Sequence, residues 1–190
     1  MKLRITNCRL AFLALFKPTT VNGEGEPRYS AQLIIEPNSP DVAALDAAMV
    51  AVAKDKWKDR APAIYADMKS KDRLCFRHGP KLNSSGEPYD GFAGKFYLAT
   101  GAKANQRPLA IHRDRTPVVE ADGIIYSGCY ADVSVELWAQ DNQFGKRINA
   151  TLKGVQFRKD GDAFTGGVAA TPDDFADLAD VGDDAMADLM

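Results

Sequence analysis

The sequence predicts a mainly β protein whose strands curl into a barrel-like sheet, with one long inserted helix, long loops and an acidic C-terminal tail. Three observations carry this. The stretch Tyr126–Arg158 reads as two long alternating strands joined by a polar loop. A single long amphipathic stripe follows Ser39-Pro40-Asp41. Residues 171–190 hold seven aspartates and no Lys or Arg.

From the N-terminus, Met1–Pro18 has a positive end and an apolar run, but Asn7 and Arg9 interrupt it and no small-residue cleavage site follows. A first strand fits better than a signal peptide. Leu10–Phe16 is apolar on both parities and is expected to be covered on both faces or to pass from one layer to another. Lys17–Arg28 is turn-rich and leads into Tyr29–Glu36, where Tyr29, Ala31, Leu33 and Ile35 alternate, so a hairpin with a mobile loop is expected.

Ser39 supplies an N-cap, Pro40 the first helical position and Asp41 an acid in the first turn. Val42, Leu45, Met49 and Val52 then form one helical stripe, read as core. Pro62 ends this helix or starts a short second one with Ile64 and Met68 on one face. Arg73–Arg77 is a short strand candidate. His78–Gly94 is a loop with Tyr89 and Phe92 expected on its surface. Gly94–Thr100 reads as a strand and Lys103–Arg115 as a basic loop, followed by a short strand at Pro117–Glu120.

In the hairpin, Cys129, Ala131, Val133, Val135 and Leu137 alternate with Tyr130, Asp132, Ser134, Glu136 and Trp138. One face is therefore buried and the other polar, with two large aromatics. Ile148, Ala150 and Leu152 continue the pattern, and after Gly154 the parity slips to Val155 and Phe157. A one-residue slip at a glycine is the mark of a β-bulge, which adds the twist that curved sheets need. Beyond Gly166-Gly167 the tail has too few apolar residues for a core and too much like charge, so disorder is expected there. The domain division is thus 1–165 for the folded body and 166–190 for the tail.

Composition narrows the function. All 24 basic residues lie in the first 170 positions, which hold 19 of the 26 acids, so the body carries +5 and the tail −7. That split fits a basic surface for polyanions and a tail able to compete for it. No apolar run approaches the ~18 residues of a membrane span. Three cysteines at irregular spacing form no disulfide framework, which points to a cytoplasmic protein with reduced thiols.

Enzyme chemistry lacks parts. His78 and His112 sit in no metal or nucleophile motif, and Cys75 and His78 are three apart without a matching second pair. The Gly79–Gly86 stretch lacks the ending of a phosphate loop. No spaced acidic cluster suits a two-metal nuclease. Neither metal nor cofactor is expected.

What remains is a basic, aromatic-bearing sheet, the combination that binds single-stranded nucleic acid through cations on phosphates and rings on bases. The candidate phosphate contacts are Lys95, Lys103, Arg107, Arg113, Arg115, Arg147 and Lys153; the candidate stacking rings are Tyr97, Tyr130 and Trp138. Asp132 and Glu136 share the face of those rings and would repel phosphates, which favours a DNA path toward the Lys95–Arg115 side.

The runs YSGCYADVSVELW, LKGVQFRKDG, KFYLATGAK, RTPVVE and FLALFKP…YSAQLII, in order over nearly the whole body, resemble the bacteriophage single-stranded DNA-binding protein family. The resemblance implies an OB-fold-like β-barrel, binding without strong sequence preference, and an acidic tail contacting a polymerase, helicase or recombinase in the host cytoplasm. The tail contact would involve Asp173, Asp174, Phe175, Asp177, Asp180, Asp183, Asp184 and Asp188. A homo-oligomer is compatible with this reading. The alternative is a non-enzymatic virion or assembly accessory protein that uses the sheet face as an oligomer interface.

Overall fold

The computed structural model describes residues 1–21 and 23–164; the tail, with the aspartates and Phe175 named above, lies outside the described residues. The elements are β1 (Lys2–Val21), β2 (Glu24–Ile35), α1 (Pro40–Trp57), α2 (Ala61–Ser70), β3 (Phe76–Arg77), β4 (Phe96–Lys103), β5 (Leu109–Ile111), β6 (Tyr130–Asn142) and β7 (Gly145–Lys159). The strands form one sheet in the order β3-β4-β2-β1-β6-β7-β5, and a further pairing of β4 with β7 closes five of them into a ring.

The closure is thin. β4 and β7 meet at a single parallel bridge, Gly101 with Thr151. Beside it the chain before β3 is wedged into the seam: the Cys75 amide donates to the Ile148 carbonyl at 3.0 Å, and the Ala99 amide to the Cys75 carbonyl at 2.9 Å. The result is an OB-like ring rather than a regular barrel.

The interior follows the alternation. Cys129, Ala131, Val133, Val135 and Leu137 are each 0% exposed, and Ile148, Ala150, Leu152 and Val155 face them from β7. Burying the Val, Ile and Leu side chains among them contributes about 1.5–3 kcal/mol each. The bulge falls where the parity slips: Ser134 pairs with Gly154 but Val135 with Leu152, leaving Lys153 as the extra residue. A Cβ on Gly154 would lie 3.2 Å from both the Cβ and the carbonyl oxygen of Leu109. The glycine therefore lets β5 pair in parallel with β7 at Gly154–Gln156.

α1 covers the ring with the expected stripe. Ser39 Oγ accepts from the Asp41 amide at 3.2 Å, and Leu45, Met49, Val52 and Trp57 are buried. Trp57 Nε1 donates to Asp141 at 2.8 Å, tying the helix to β6 near its turn. Pro62 begins the second helix rather than ending the first, and Met68 is its buried anchor. No described helix is long and apolar enough to cross a membrane.

Four local expectations are corrected. Leu10–Phe16 is covered on both faces only in part: Leu10, Ala11, Ala14 and Leu15 are buried, but a bulge between Ala11 and Ala14 changes the parity and leaves Phe12 outside. Phe12 sits at the bulge with φ 49° and is 46% exposed. The turn-rich Lys17–Arg28 is not an open loop: β1 runs to Val21 and β2 restarts at Glu24, making a paired arm. Phe92 is fully buried, because the loop after β3 folds over the outer face of β1 and β2 and presses this ring on Ala11 and Ile34. Pro117–Glu120 forms no strand beyond one bridge to Ile111; the strand lies instead within the basic loop, as β5, where β7 offers a free edge.

Candidate nucleic-acid interface

A groove of about 770 Å³ runs along the seam. One wall is β4 from Ala99 to Lys103 with Arg28 of β2 beside it; the floor is the wedge from Arg73 to Arg77; the other wall is the outer face of the β6–β7 hairpin. Local pairing explains each placement. Arg28 and Lys103 are register partners. On the hairpin, Trp138 pairs with Asn149 and Gln140 with Arg147, so all four side chains share the face turned to the groove. The tight turn then puts Phe144 at the tip, 72% exposed. Gly145, at φ 98°, has no Cβ where the Arg73 guanidinium lies, so this cation packs against the turn.

Five cations line the groove, namely Arg28, Arg73, Arg77, Lys103 and Arg147, and no carboxylate does. Arg77 is paired with Asp72; the other four make no ion pair among the described residues. The rings are Trp138, 43% exposed, and Phe144. Trp138 Nε1 donates to Thr151 Oγ1 at 3.0 Å, its diagonal neighbour on β7, so the indole is held across the strand with a defined orientation. Gln106, Gln140, Asn142 and Asn149 add amides suited to base edges or sugar oxygens.

The seven candidate cations and three candidate rings are thus divided. Lys103, Trp138 and Arg147 come together in the groove. Lys95 is paired with Glu36 at 2.6 Å and Lys153 with Glu136 at 3.4 Å. Surface pairs are worth about 0–1 kcal/mol, so these lower the local potential without fixing the side chains. Tyr97 packs edge-on to Phe92 with centroids 5.8 Å apart. Tyr130 lies under the chain at Gly161, flanked by Arg9 and Lys159. Arg107, Arg113 and Arg115 are exposed but do not line the groove. Arg28, Arg73, Arg77 and Phe144 are groove residues that the sequence reading passed over. Phe144 had a signal, an aromatic next to glycine in a polar turn; the arginines lie in two separate segments, Arg28 in one and Arg73 with Arg77 in the other.

The carboxylates on the hairpin face do not oppose phosphates as expected. Asp132 is buried, bonded by Arg4 at 2.6 Å, Arg158 at 3.0 Å and the Asn7 amide at 2.8 Å. Burial pushes its carboxyl up, but the Asn7 amide and the two guanidinium groups outweigh that and hold it below its ordinary value. Glu136 is taken by Lys153. Cys75, in the groove floor, is a neutral thiol: burial pushes it up to about 12. Burial raises Cys8 and Cys129 as well.

Comparison with known proteins identifies the family and the fold. The family model described as Enterobacter phage Enc34, ssDNA-binding protein, matches residues 1–186. Protein p50 of Acyrthosiphon pisum secondary endosymbiont phage 1 is 40% identical over 182 residues, 94% of this chain and 95% of its own. Among solved structures, the single-stranded DNA-binding protein from bacteriophage Enc34 in complex with ssDNA aligns with TM-score 0.67 at 24% identity, covering 86% of this chain and 89% of that one. The bacteriophage T7 single-stranded DNA-binding protein gp2.5 aligns with TM-score 0.56 at 14% identity, covering 90% and 98%. At these identities the two structures speak for the fold.

Proposed function

The chain belongs to the phage Enc34-type family of single-stranded DNA-binding proteins, and from that membership we propose that its seam groove binds single-stranded DNA, without strong sequence preference, in phage DNA replication or recombination. The observation that carries this is the lining of the groove: five cations and two exposed rings with no carboxylate among them. Arg28, Arg73, Arg77, Lys103 and Arg147 neutralise phosphates, and release of counterions makes affinity fall with salt. Trp138 and Phe144 stack bases, which every base accepts through its π-face. In OB-folds the ligand lies across strands 2 and 3 between the hairpin loops; here those parts are β2, β4, the β1–β2 arm and the Phe144 turn.

Residues 1–165 form the binding domain in this reading, and 166–190 the acidic tail. In host cytoplasm the tail competes for the groove when DNA is absent and is released to a polymerase, helicase or recombinase when DNA binds. The charge division, +5 for the body and −7 for the tail, supports this. No catalytic step is assigned. Gel shifts with single- and double-stranded oligonucleotides across a salt series test the reading. Salt-dependent binding with a preference for single strands is expected; absence of binding at low salt overturns it. Deletion of residues 171–190 tightens binding at low salt, and unchanged affinity refutes the competition.

A further inference from the structure

We propose that the acidic tail docks back on its own domain by seating Phe175 in an aromatic depression formed by Phe12, Tyr89, Phe92 and Phe164. This depression has a volume of about 480 Å³ and shares no lining residue with the seam groove. The inference is independent of whether the groove binds DNA.

The site is built at a local cost. Phe12 adopts a left-handed φ of 49°, a conformation that bulky residues avoid and that concentrates where function holds it. The strain aims the ring out of β1 toward Tyr89, with centroids 4.9 Å apart in an edge-to-face pair. Phe92 closes the base, 6.0 Å from Phe12. Phe164 makes the last wall and is firmly placed. Its amide donates to the Ser127 carbonyl at 3.0 Å, the Arg9 guanidinium lies 4.2 Å above its ring, and Gly91 leaves room for that ring where any Cβ would strike it.

The chain itself points to the occupant. It leaves the described fold at Phe164, on the rim of the depression, and the next aromatic residue is Phe175, eleven positions on, flanked by Asp173, Asp174 and Asp177. Eleven residues with the statistics of a Gly-rich chain would span about 18 Å root-mean-square, which would give the ring an effective concentration of order mM at the site. Lys81 supplies the complementary charge: its Nζ lies 5.8 Å from the Phe12 centroid, and it makes no ion pair among the described residues. Docking at Phe175 holds the start of the tail and leaves Asp180, Asp183, Asp184 and Asp188 to reach other surfaces.

The test uses the full chain with the photo-cross-linker p-benzoylphenylalanine in place of Phe175. Irradiation is expected to give mainly an intramolecular adduct on the peptides that carry Phe12 or Tyr89. Phe12→Ala should lower its yield roughly two- to tenfold, the range of an aromatic pair, without changing oligonucleotide affinity in the groove. Tyr89→Ser, on a loop, should do the same and covers the case in which Phe12→Ala fails to fold. Adducts confined to other segments, or only between two chains, overturn the proposal.

Discussion

Replacing Arg28 and Lys103 together by Gln asks whether the seam groove is the polyanion site. The two residues are register partners on β2 and β4, and neither makes an ion pair among the described residues. Each phosphate neutralised on a single strand contributes about −0.7 to the slope of log K against log salt. The four groove cations without an ion pair, Arg28, Arg73, Lys103 and Arg147, therefore correspond to a slope of about −2.8, and the double variant to about −1.4. Between 50 and 200 mM salt the parent should lose affinity about 50-fold and the variant only about 7-fold. Fluorescence anisotropy with a labelled oligo-dT reads both slopes. The control is Lys95→Gln with Lys153→Gln, which removes equal charge from residues that already have the carboxylates Glu36 and Glu136. Its slope should stay near the parent's. If the control flattens the slope as much as the groove variant, or the groove variant leaves it unchanged, the assignment is wrong.

Two further outcomes follow from the geometry. Trp138→Ala should weaken oligo-dT binding by about 1–3 kcal/mol, or roughly 5- to 150-fold, and remove the fluorescence quenching on titration, since Trp57 is buried; normal binding would make Trp138 a packing residue. Asp132, held below its ordinary carboxyl value, contributes stability that is complete above its unfolded value and is lost as pH falls through its lower folded value. Asp132→Asn should cost about 1.5–3 kcal/mol at neutral pH, since it weakens hydrogen bonds to a charged group, and should flatten the acid limb of denaturant-measured stability; an unaltered limb refutes the role given to this carboxylate.

The sheet was legible where burial dictates the residue and obscure where contacts between distant segments do. β6 and β7 alternate because one face is closed by the ring, and the parity slip at Gly154 marked the bulge. The bulge at Phe12 left no such sign, since it serves a loop that returns about 80 residues later to bury Phe92 on Ala11 and Ile34. The same limit governed the candidate site. The basic loop Lys95–Arg115 drew the phosphate contacts, although Lys69–Lys81 is the denser basic run and holds two of the groove cations; the set Arg28, Arg73, Arg77, Lys103 and Arg147 meets only when the ring closes. Conversely, Lys95 and Lys153 have their charge offset by partners that strand register brings beside them, Glu36 and Glu136.

The one-bridge seam between β4 and β7 makes the ring a split collar, and its gap is the base of the groove. On the proposed reading a strand of nucleic acid lying there would touch both lips, Lys103 on one and Arg147 on the other. Such a ligand would act as a clasp that couples occupancy to closure. At 100 times its dissociation constant, a clasp binding only the closed form would add about 2.7 kcal/mol against opening. The gain should concentrate in the amides of Cys75 and Ile148, whose hydrogen bonds hold the wedge in place. The part of the fold with the fewest bonds of its own would then be the part the ligand completes.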